Sequence, residues 1–308
     1  MDFITLLVGV IFASIGGELF VRGVVGIARW ARISAGIIGA TFAAFATSSP
    51  ELSVSITSAL AGTPQIALGD ALGSNVVNIG LILGVALFFG PINSPRDTKK
   101  RDFPVALLVP VLLGVLAYDG TLSRSDGVIL LGVFAAWLTA MIVDVRRQRS
   151  AAAEVLGEAK HGRALFESAA GLAFLITSGV LIVSGAKGIA TAYGIDPFII
   201  GATLVAIGTS APELAVTIIA RIRGHDEVGL GTILGSNIFN GLFIVGVASL
   251  ISPIPVTWQA ISIGLMIGFL TTLFVYPIRG NLVERQRGLL LVVVYLIYLG
   301  AILRQEFA

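Results

Sequence analysis

Apolar stretches long enough to cross a lipid bilayer recur along the whole chain, and this feature limits the fold more than any other. Of the 308 residues, 56% are hydrophobic and only 12% are charged, whereas a soluble domain carries about 25% charged residues. A helix needs about 20 apolar residues to cross the hydrocarbon core. The sequence therefore predicts an all-α, polytopic membrane protein. It contains no cysteine, which excludes disulfides and thiolate metal sites.

Turn and charge signals divide the apolar stretches into ten predicted transmembrane helices. They cover residues 3–28, 34–61, 66–90, 102–119, 125–145, 165–191, 197–221, 228–251, 256–277 and 287–304. Sixteen of the 20 Lys and Arg residues fall in the odd-numbered loops. By the positive-inside rule those loops are cytoplasmic and both termini are extracytoplasmic. We expect a multi-pass protein of the inner (plasma) membrane, and we interpret its basic residues as topology signals rather than as a nucleic-acid surface.

Residues 39–84 and 201–246 form an internal repeat that aligns without a gap at an offset of 162. We count 21 identities over 46 positions, concentrated on polar, Gly and Pro residues. The offset spans five helices, so the second copy must enter the membrane from the opposite side. We therefore predict two inverted five-helix repeats, at 1–145 and 165–308, joined by a short cytoplasmic linker at 146–164. Inverted repeats are typical of transporters with a site near the bilayer midplane, although a duplicated membrane protein without a transport role would also show one.

Two acidic residues, Glu51 and Glu213, lie at matching positions in the middle of apolar spans. A charged residue there costs at least about 2.5 kcal/mol to insert and needs a partner. No Lys, Arg or His lies within the repeat cores. A divalent cation between the two carboxylates would balance both charges, and calcium takes six to eight oxygen ligands. Neighbouring hydroxyl groups that would supply further ligands are those of Thr47, Ser48, Thr209 and Ser210.

Proline precedes each glutamate, and a proline within a helix frees the carbonyl four residues back. The freed carbonyls belong to Ala46 and Gly208, and those of Ala44 and Ala206 would follow if the helix opened. Serine and threonine in membrane helices more often bond their own backbone, so alone they would be structural.

The third and eighth spans add a second set of polar side chains. Ser74 and Asn78 are four residues apart on one helix face, and Ser236 and Asn240 match them. We expect Asn75 and Asn237 to bond the backbone or a facing helix rather than an ion. We expect the small residues Gly69, Gly73, Gly231 and Gly235 to let helices approach closely. Asp70, matched by Thr232, is interpreted as an access-side or solvated charge near the outer end of its span.

These motifs resemble the calcium/cation antiporter superfamily, most closely the prokaryotic sodium/calcium exchangers. That family carries two inverted repeats with G-T-S-x-P-E and G-S-N-I-x-[ND] signatures. The matching segments here are ATSSPE at 46–51 with GSNVVN at 73–78, and GTSAPE at 208–213 with GSNIFN at 235–240. Ala46 replaces the usual Gly. Asn240 stands where some of these exchangers have Asp, so the centre would hold two carboxylates rather than three.

The resemblance implies exchange of about three sodium ions for one calcium ion by alternating access, with spans 1 and 6 sliding across the other eight. It implies that Glu51 and Glu213 bind both cations and that Asn78 and Asn240 close the central site. It implies further ligands from the remaining residues of the set, namely Thr47, Ser48, Ser74, Thr209, Ser210 and Ser236, with the carbonyls of Ala44 and Ala206. No cofactor is implied, the partners are the two ions and the bilayer, and we expect a monomer to suffice.

Three other functions stay open at this point. The first is a calcium antiporter coupled to protons or potassium, although the proton branch usually has G-N-x-x-E in place of P-E. The second is a membrane-embedded enzyme, but no His lies in a predicted span; His161 and His225 are in loops. The third is a channel with a continuous pore, which saturable, obligatorily coupled exchange would exclude.

Overall fold

The computed structural model describes residues 2–31, 33–60, 62, 64–152, 161–192, 206–278 and 280–306. The described chain is mostly helical. Five of its helices are long and apolar enough to cross a membrane: Ala67–Phe88, Thr98–Asp119, Arg124–Arg146, Asp226–Ile251 and Trp258–Val275. The two that contain the Gly-Ser-Asn motifs are 78% and 83% buried over their apolar windows, against 22–39% for the other three. They therefore form the centre of the molecule.

The first half begins with a long helix and continues as shorter helical segments. Its helices are α1 (Asp2–Ala31), α2 (Ala35–Ile38), α3 (Ala44–Thr47), α4 (Ser49–Leu60), α5 (Gln65–Val76), α6 (Gly84–Phe88), α7 (Phe103–Leu116) and α8 (Arg124–Ala152). Wider π-helical turns occupy Gly39–Ala43, Val77–Leu83 and Thr98–Asp102, and a 3₁₀ turn covers Ala117–Asp119. Two short strands follow α6 and the 3₁₀ turn, β1 (Ile92–Asn93) and β2 (Thr121–Leu122).

The second half follows the same plan. Its helices are α9 (His161–Ala192), α10 (Ala206–Thr209), α11 (Ala211–Ile222), α12 (Asp226–Ile238), α13 (Val245–Ile251), α14 (Trp258–Val275) and α15 (Arg287–Glu306). A π-helical turn covers Phe239–Ile244, and the strands are β3 (Ile254–Pro255) and β4 (Leu282–Val283). Residues 193–205, at the start of the predicted seventh span, lie outside the described residues.

Matching elements of the two halves stand at the offset that the sequence repeat predicts. Helices α3 and α4 are 162 residues from α10 and α11 at both ends. The turns that follow α4 and α11 contain Gly62 and Gly224, also 162 apart, with φ of 78° and 75°. That left-handed conformation favours glycine because it has no Cβ to clash. The same local rules therefore shape both copies.

The short strands show which connections lie on the same face of the molecule. Strand β1 pairs with β4 and β2 pairs with β3, both antiparallel. The backbone N–H of Asn93 in β1 donates to Asp226 Oδ2 at 3.1 Å. Helix α12 therefore begins beside the strand that follows the helix from Gln65 to Phe88.

Helix α1 packs along α9 through small residues. A Cβ on Gly16 would lie 2.9 Å from the carbonyl oxygen of Gly171, so the two backbones are in direct contact there. Phe12 and Phe174 add an edge-to-face ring contact at 5.1 Å. Helix α1 also meets the end of α11, where Arg223 forms an ion pair with Glu18. The two long helices form one packed pair beside the buried centre.

Helix ends differ from the prediction around the proposed linker. Helix α8 continues to Ala152 and α9 begins at His161, so much of the segment 146–164 is helical rather than a loop. The remaining residues of that segment lie outside the described residues. The prediction placed the ends of these two spans only where the sequence becomes polar and charged. Polar and charged side chains do not stop a helix once its last apolar turn has left the bilayer, so the helices extend further.

Candidate functional site

The helices that carry the two glutamates break at equivalent serines. Ser48, between α3 and α4, has φ −84° and ψ 15°, and Ser210, between α10 and α11, has φ −83° and ψ 6°. Pro50 and Pro212 follow each break within the first two positions of the next helix. Proline is tolerated at that position because its missing N–H would have had no partner. The motif therefore places a helix start, and its glutamate, at the middle of the molecule.

Glu51 and Glu213 both face the interior, with 1% and 0% of their surface exposed. The two carboxylates are close enough for their charges to interact, and each lies near a threonine of the opposite half. Thr209 approaches Glu51 and Thr47 approaches Glu213. The two halves thus cross at the carboxylates, as the repeat predicts.

Glu213 is surrounded by hydroxyl groups from both halves. Ser48 Oγ donates to Glu213 Oε1 at 2.9 Å and lies 2.9 Å from Ser236 Oγ. Ser236 Oγ is also 3.2 Å from the same carboxylate oxygen. These three oxygens lie within hydrogen-bond distance of one another, and the other carboxylate oxygen, Oε2, has no hydrogen-bond partner among the described residues.

Four asparagines link α5 and α12 by a reciprocal network. Asn75 Nδ2 donates to the carbonyl oxygen of Asn237, and Asn237 Nδ2 donates to that of Asn75, both at 3.1 Å. Asn78 Nδ2 donates to Asn237 Oδ1 at 2.9 Å, and Asn240 Nδ2 donates to Asn75 Oδ1 at 3.2 Å. Such an exchange of identical contacts is what a two-fold axis between the helices produces. The expectation that Asn75 and Asn237 bond a facing helix is confirmed.

The network also orients Asn78 and Asn240. Each donates its amide N–H₂ to the facing asparagine, and its buried Oδ1 atom has no hydrogen-bond partner in the described part of the chain. Both residues lie in a π-helical turn, which begins at Val77 in one half and at Phe239 in the other. Such turns are frequent at functional sites because they displace side chains from the regular helical face. No residue pattern in the sequence predicts these π-helical turns.

Several of the predicted site residues present an oxygen that is buried and lacks a hydrogen-bond partner among the described residues. A buried polar atom without a partner is costly and calls for an explanation. The atoms are Glu51 Oε2, Glu213 Oε2, Ser74 Oγ, Ser210 Oγ, Asn78 Oδ1 and Asn240 Oδ1. They are six oxygens from both halves, two of them from carboxylates, and this donor set fits a hard cation.

The carbonyls of Ala44 and Ala206 are not released as the sequence suggested. The Ala44 oxygen accepts from Ser48 N at 3.0 Å, and the Ala206 oxygen accepts from Ser210 N at 3.2 Å. The threonine hydroxyls also bond back, Thr47 to Ala43 O at 2.9 Å and Thr209 to Ala206 O at 3.2 Å. A carbonyl has a second lone pair, so a hydrogen bond does not prevent it from binding a cation. The helix nevertheless stays closed at both carbonyls.

Asp70 lies on α5, one turn before Ser74, and its charge acts on both Glu51 and Glu213. Its Oδ2 atom is buried without a hydrogen-bond partner among the described residues, while the residue as a whole is partly exposed. In the part of the chain that the structure describes, no three His, Cys, Asp or Glu side chains could hold one metal ion together. Asp70 therefore does not join Glu51 and Glu213 as a third acidic ligand of one ion in this structure. The sequence interpretation did not connect it to the site, although its four-residue spacing from Ser74 was a signal.

These features define a class: a helical membrane protein with a buried, oxygen-lined and acidic site between two related halves, as found in cation transporters. A family model described as "Sodium/calcium exchanger protein" matches residues 1–143 and 164–304. The chain belongs to this family, whose members are exchangers.

Named relatives and solved structures agree with that assignment. The chain is 39% identical over 257 residues to "Putative antiporter CaxA" of Alkalimonas amylolytica, covering 81% of each chain. It is 29% identical over 341 residues to "Sodium/calcium exchanger MaX1" of Methanosarcina acetivorans, covering 97% of each. A structure of the sodium-calcium exchanger NCX_Mj, soaked with Na⁺ and Sr²⁺, is 32% identical with a TM-score of 0.84 and 97% of both chains covered. Family and structure together support antiport of cations, including Ca²⁺, across a membrane.

Proposed function

We propose that this chain is a secondary active antiporter that exchanges sodium for calcium by alternating access. The observation that carries the proposal is that six buried oxygens of the predicted site residues, two of them from carboxylates of opposite halves, have no hydrogen-bond partner among the described residues. Two carboxylates balance one calcium ion, and six oxygens reach the lower end of its coordination number. Sodium is also a hard cation and would compete for the same oxygens.

The proposal places the ions at the residues that the motifs predict. Glu51 and Glu213 carry the charge, and Asn78 and Asn240 close the centre. The remaining ligands are Thr47, Ser48, Ser74, Thr209, Ser210 and Ser236, with the second lone pairs of the Ala44 and Ala206 carbonyls. An empty site would leave two carboxylates buried near each other, which is costly. That cost would hinder the unloaded protein from changing sides and so couple the two fluxes.

The same proposal includes the ten-span plan with inverted halves at 1–145 and 165–308 and both termini extracytoplasmic. It is supported by the strand pairs, because β1–β4 joins two odd-numbered loops and β2–β3 joins two even-numbered loops. Lys99 Nζ likewise donates to Gly280 O at 2.9 Å, between odd-numbered loops. The packing of α1 on α9 supports their movement as one unit.

Flux in proteoliposomes tests the function. Calcium uptake is measured with an imposed sodium, potassium or proton gradient in turn, and we expect the sodium gradient alone to drive it at fixed pH. Glu51→Gln and Glu213→Gln should each lower calcium flux by about 30-fold or more, since removing one member of a buried charged set costs about 2–5 kcal/mol. Asp119→Asn, an exposed carboxylate in the loop before β2, is the matched control and should keep normal flux. Undiminished exchange in both glutamine variants would refute the site, and uptake driven only by protons would refute the coupling ion.

A further inference from the structure

The two halves differ at one polar position of their motif helices. Asp70 precedes Ser74 by four residues on α5, and at the same place on α12 Thr232 precedes Ser236. Thr232 is fully buried, and its hydroxyl donates to Val228 O at 2.8 Å. Asp70 is partly exposed, and its Oδ2 has no hydrogen-bond partner among the described residues. One half therefore carries an acidic side chain with an unpartnered oxygen, among the described residues, where the other half carries a hydrogen-bonded hydroxyl.

Asp70 lies on the face of α5 that leads to the ion site. Residues four apart stack on one side of a helix, so Asp70, Ser74 and Asn78 form a row that ends at the asparagine network. Ser74 is fully buried and its Oγ has no partner among the described residues. An ion that moves along this row would pass from one unpartnered oxygen to the next.

The packing beside the row also differs between the halves. A Cβ on Gly69, next to Asp70, would meet nothing within 4 Å among the described residues. A Cβ on Gly231, next to Thr232, would lie 2.6 Å from the carbonyl oxygen of Gly36. Gly231 is buried against α2, whereas Gly69 is exposed, so the helix surface beside Asp70 is more open to solvent than the surface beside Thr232.

We propose that Asp70 is a one-sided capture position for cations, which concentrates calcium at the face of the protein that holds the turn at 62–64. Basic residues in the loops predict this face to be extracytoplasmic. Asp70 interacts electrostatically with Glu51 and Glu213, and all three are acidic. The row of Asp70, Ser74 and Asn78, together with these glutamates, therefore attracts cations. The inference rests on the proposed function, because it assigns a role along the path to that same site.

The test compares the two faces of the membrane. Calcium saturation of exchange is measured in right-side-out and in everted membrane vesicles, for the unmodified protein, Asp70→Asn and Asp70→Thr. On the extracytoplasmic face both variants should raise the half-saturating calcium concentration by about three- to tenfold at low salt, because a divalent ion loses one attractive charge. The difference should shrink as ionic strength rises. On the cytoplasmic face both variants should match the unmodified protein, and Asp119→Asn should match it on both faces.

A purely structural role predicts another result. If Asp70→Asn and Asp70→Thr change calcium saturation equally on both faces, or on neither, the capture role is refuted. If neither variant folds, the unmodified protein still decides the question, because its calcium saturation should depend on salt more strongly on the extracytoplasmic face. Equal salt dependence on the two faces overturns the inference. Failure of the proposed function would appear separately, as normal flux in Glu51→Gln and Glu213→Gln.

Discussion

Gly73 and Gly235 occupy the same place in the two Gly-Ser-Asn motifs, yet the structure predicts opposite effects of alanine there. A Cβ on Gly235 would contact the carbonyl oxygen of Ala40 at an impossibly short distance and would lie 2.8 Å from two further backbone atoms of Ala40. A Cβ on Gly73 would have its nearest neighbours at 3.9 Å, on Ala206, and at 4.0 Å, on Tyr298. The first site has no room for a methyl group, and at the second the neighbouring atoms of the described residues lie at ordinary van der Waals distances.

The expected free energies follow from these distances. Alanine in a helix is about 1 kcal/mol more favourable than glycine. Overpacking costs about 1–3 kcal/mol, and Gly235→Ala should reach the upper end because backbone atoms of α2 and its π-helical turn cannot rotate away. We therefore expect a net loss of about 2 kcal/mol for Gly235→Ala and a gain of up to about 1 kcal/mol for Gly73→Ala.

Thermal unfolding of the purified protein in detergent measures the difference. At about 2–4 °C per kcal/mol for a chain of this size, the midpoint should fall by about 4–8 °C for Gly235→Ala and rise by about 2–4 °C for Gly73→Ala. Both variants add one methyl group to the same motif, so each serves as the other's control. Equal shifts of the two unfolding midpoints would refute the inference that a methyl group has more room at Gly73 than at Gly235.

Two further predictions concern the asparagine network and the charged cluster near the start of α7. Asn237→Ala removes the acceptor that holds the Asn78 amide. The half-saturating calcium concentration in the flux assay should therefore rise by about 3- to 20-fold, which is the range for one hydrogen bond between membrane helices. An unchanged concentration would contradict this role of Asn237. Asp102→Ala leaves the Arg101 guanidinium without its two bonds at 2.8 and 3.0 Å and should cost about 3–5 kcal/mol in thermal stability. The matched Asp144→Ala, at a side chain 34% exposed, should cost about 1 kcal/mol or less, and a larger effect there than at Asp102 would refute the reasoning.

The sequence repeat predicts much of the structure because both copies obey the same local rules. Identical proline and glycine positions place the breaks at Ser48 and Ser210 and the turns at Gly62 and Gly224, 162 residues apart in each case. Helical spacing also predicts that Asn75 and Asn237 lie on a different helix face from Ser74, Asn78, Ser236 and Asn240 and so do not face the ion. These features depend on residues near one another in the chain, which a repeat makes visible.

The remaining features depend on contacts between the halves. The π-helical turns at Asn78 and Asn240 carry no residue that favours them over a regular helix, so only the packed structure reveals them. The Ala44 and Ala206 carbonyls stay bonded because Ser48 and Ser210 still donate to them, and proline alone does not decide that. The close approach expected for four glycines holds for Gly231 and Gly235, which meet α2 and its π-helical turn. Around Gly69 and Gly73 the described residues show no such contact.

In any one conformational state of an alternating-access transporter, the two copies of an inverted repeat must pack differently. If the two copies could adopt each other's conformation, the closed packing at Gly231 and Gly235 would pass to Gly69 and Gly73, and the face open to solvent would change. The proposed alternating access would be this exchange, because in the proposed topology the copies enter the membrane from opposite sides. It gives Gly73→Ala a second consequence: the methyl group fits the described state but would clash where α5 packs as α12 does now. Greater thermal stability together with slower exchange would therefore support the proposal, whereas greater stability with normal exchange would show that α5 never closes in the manner of α12.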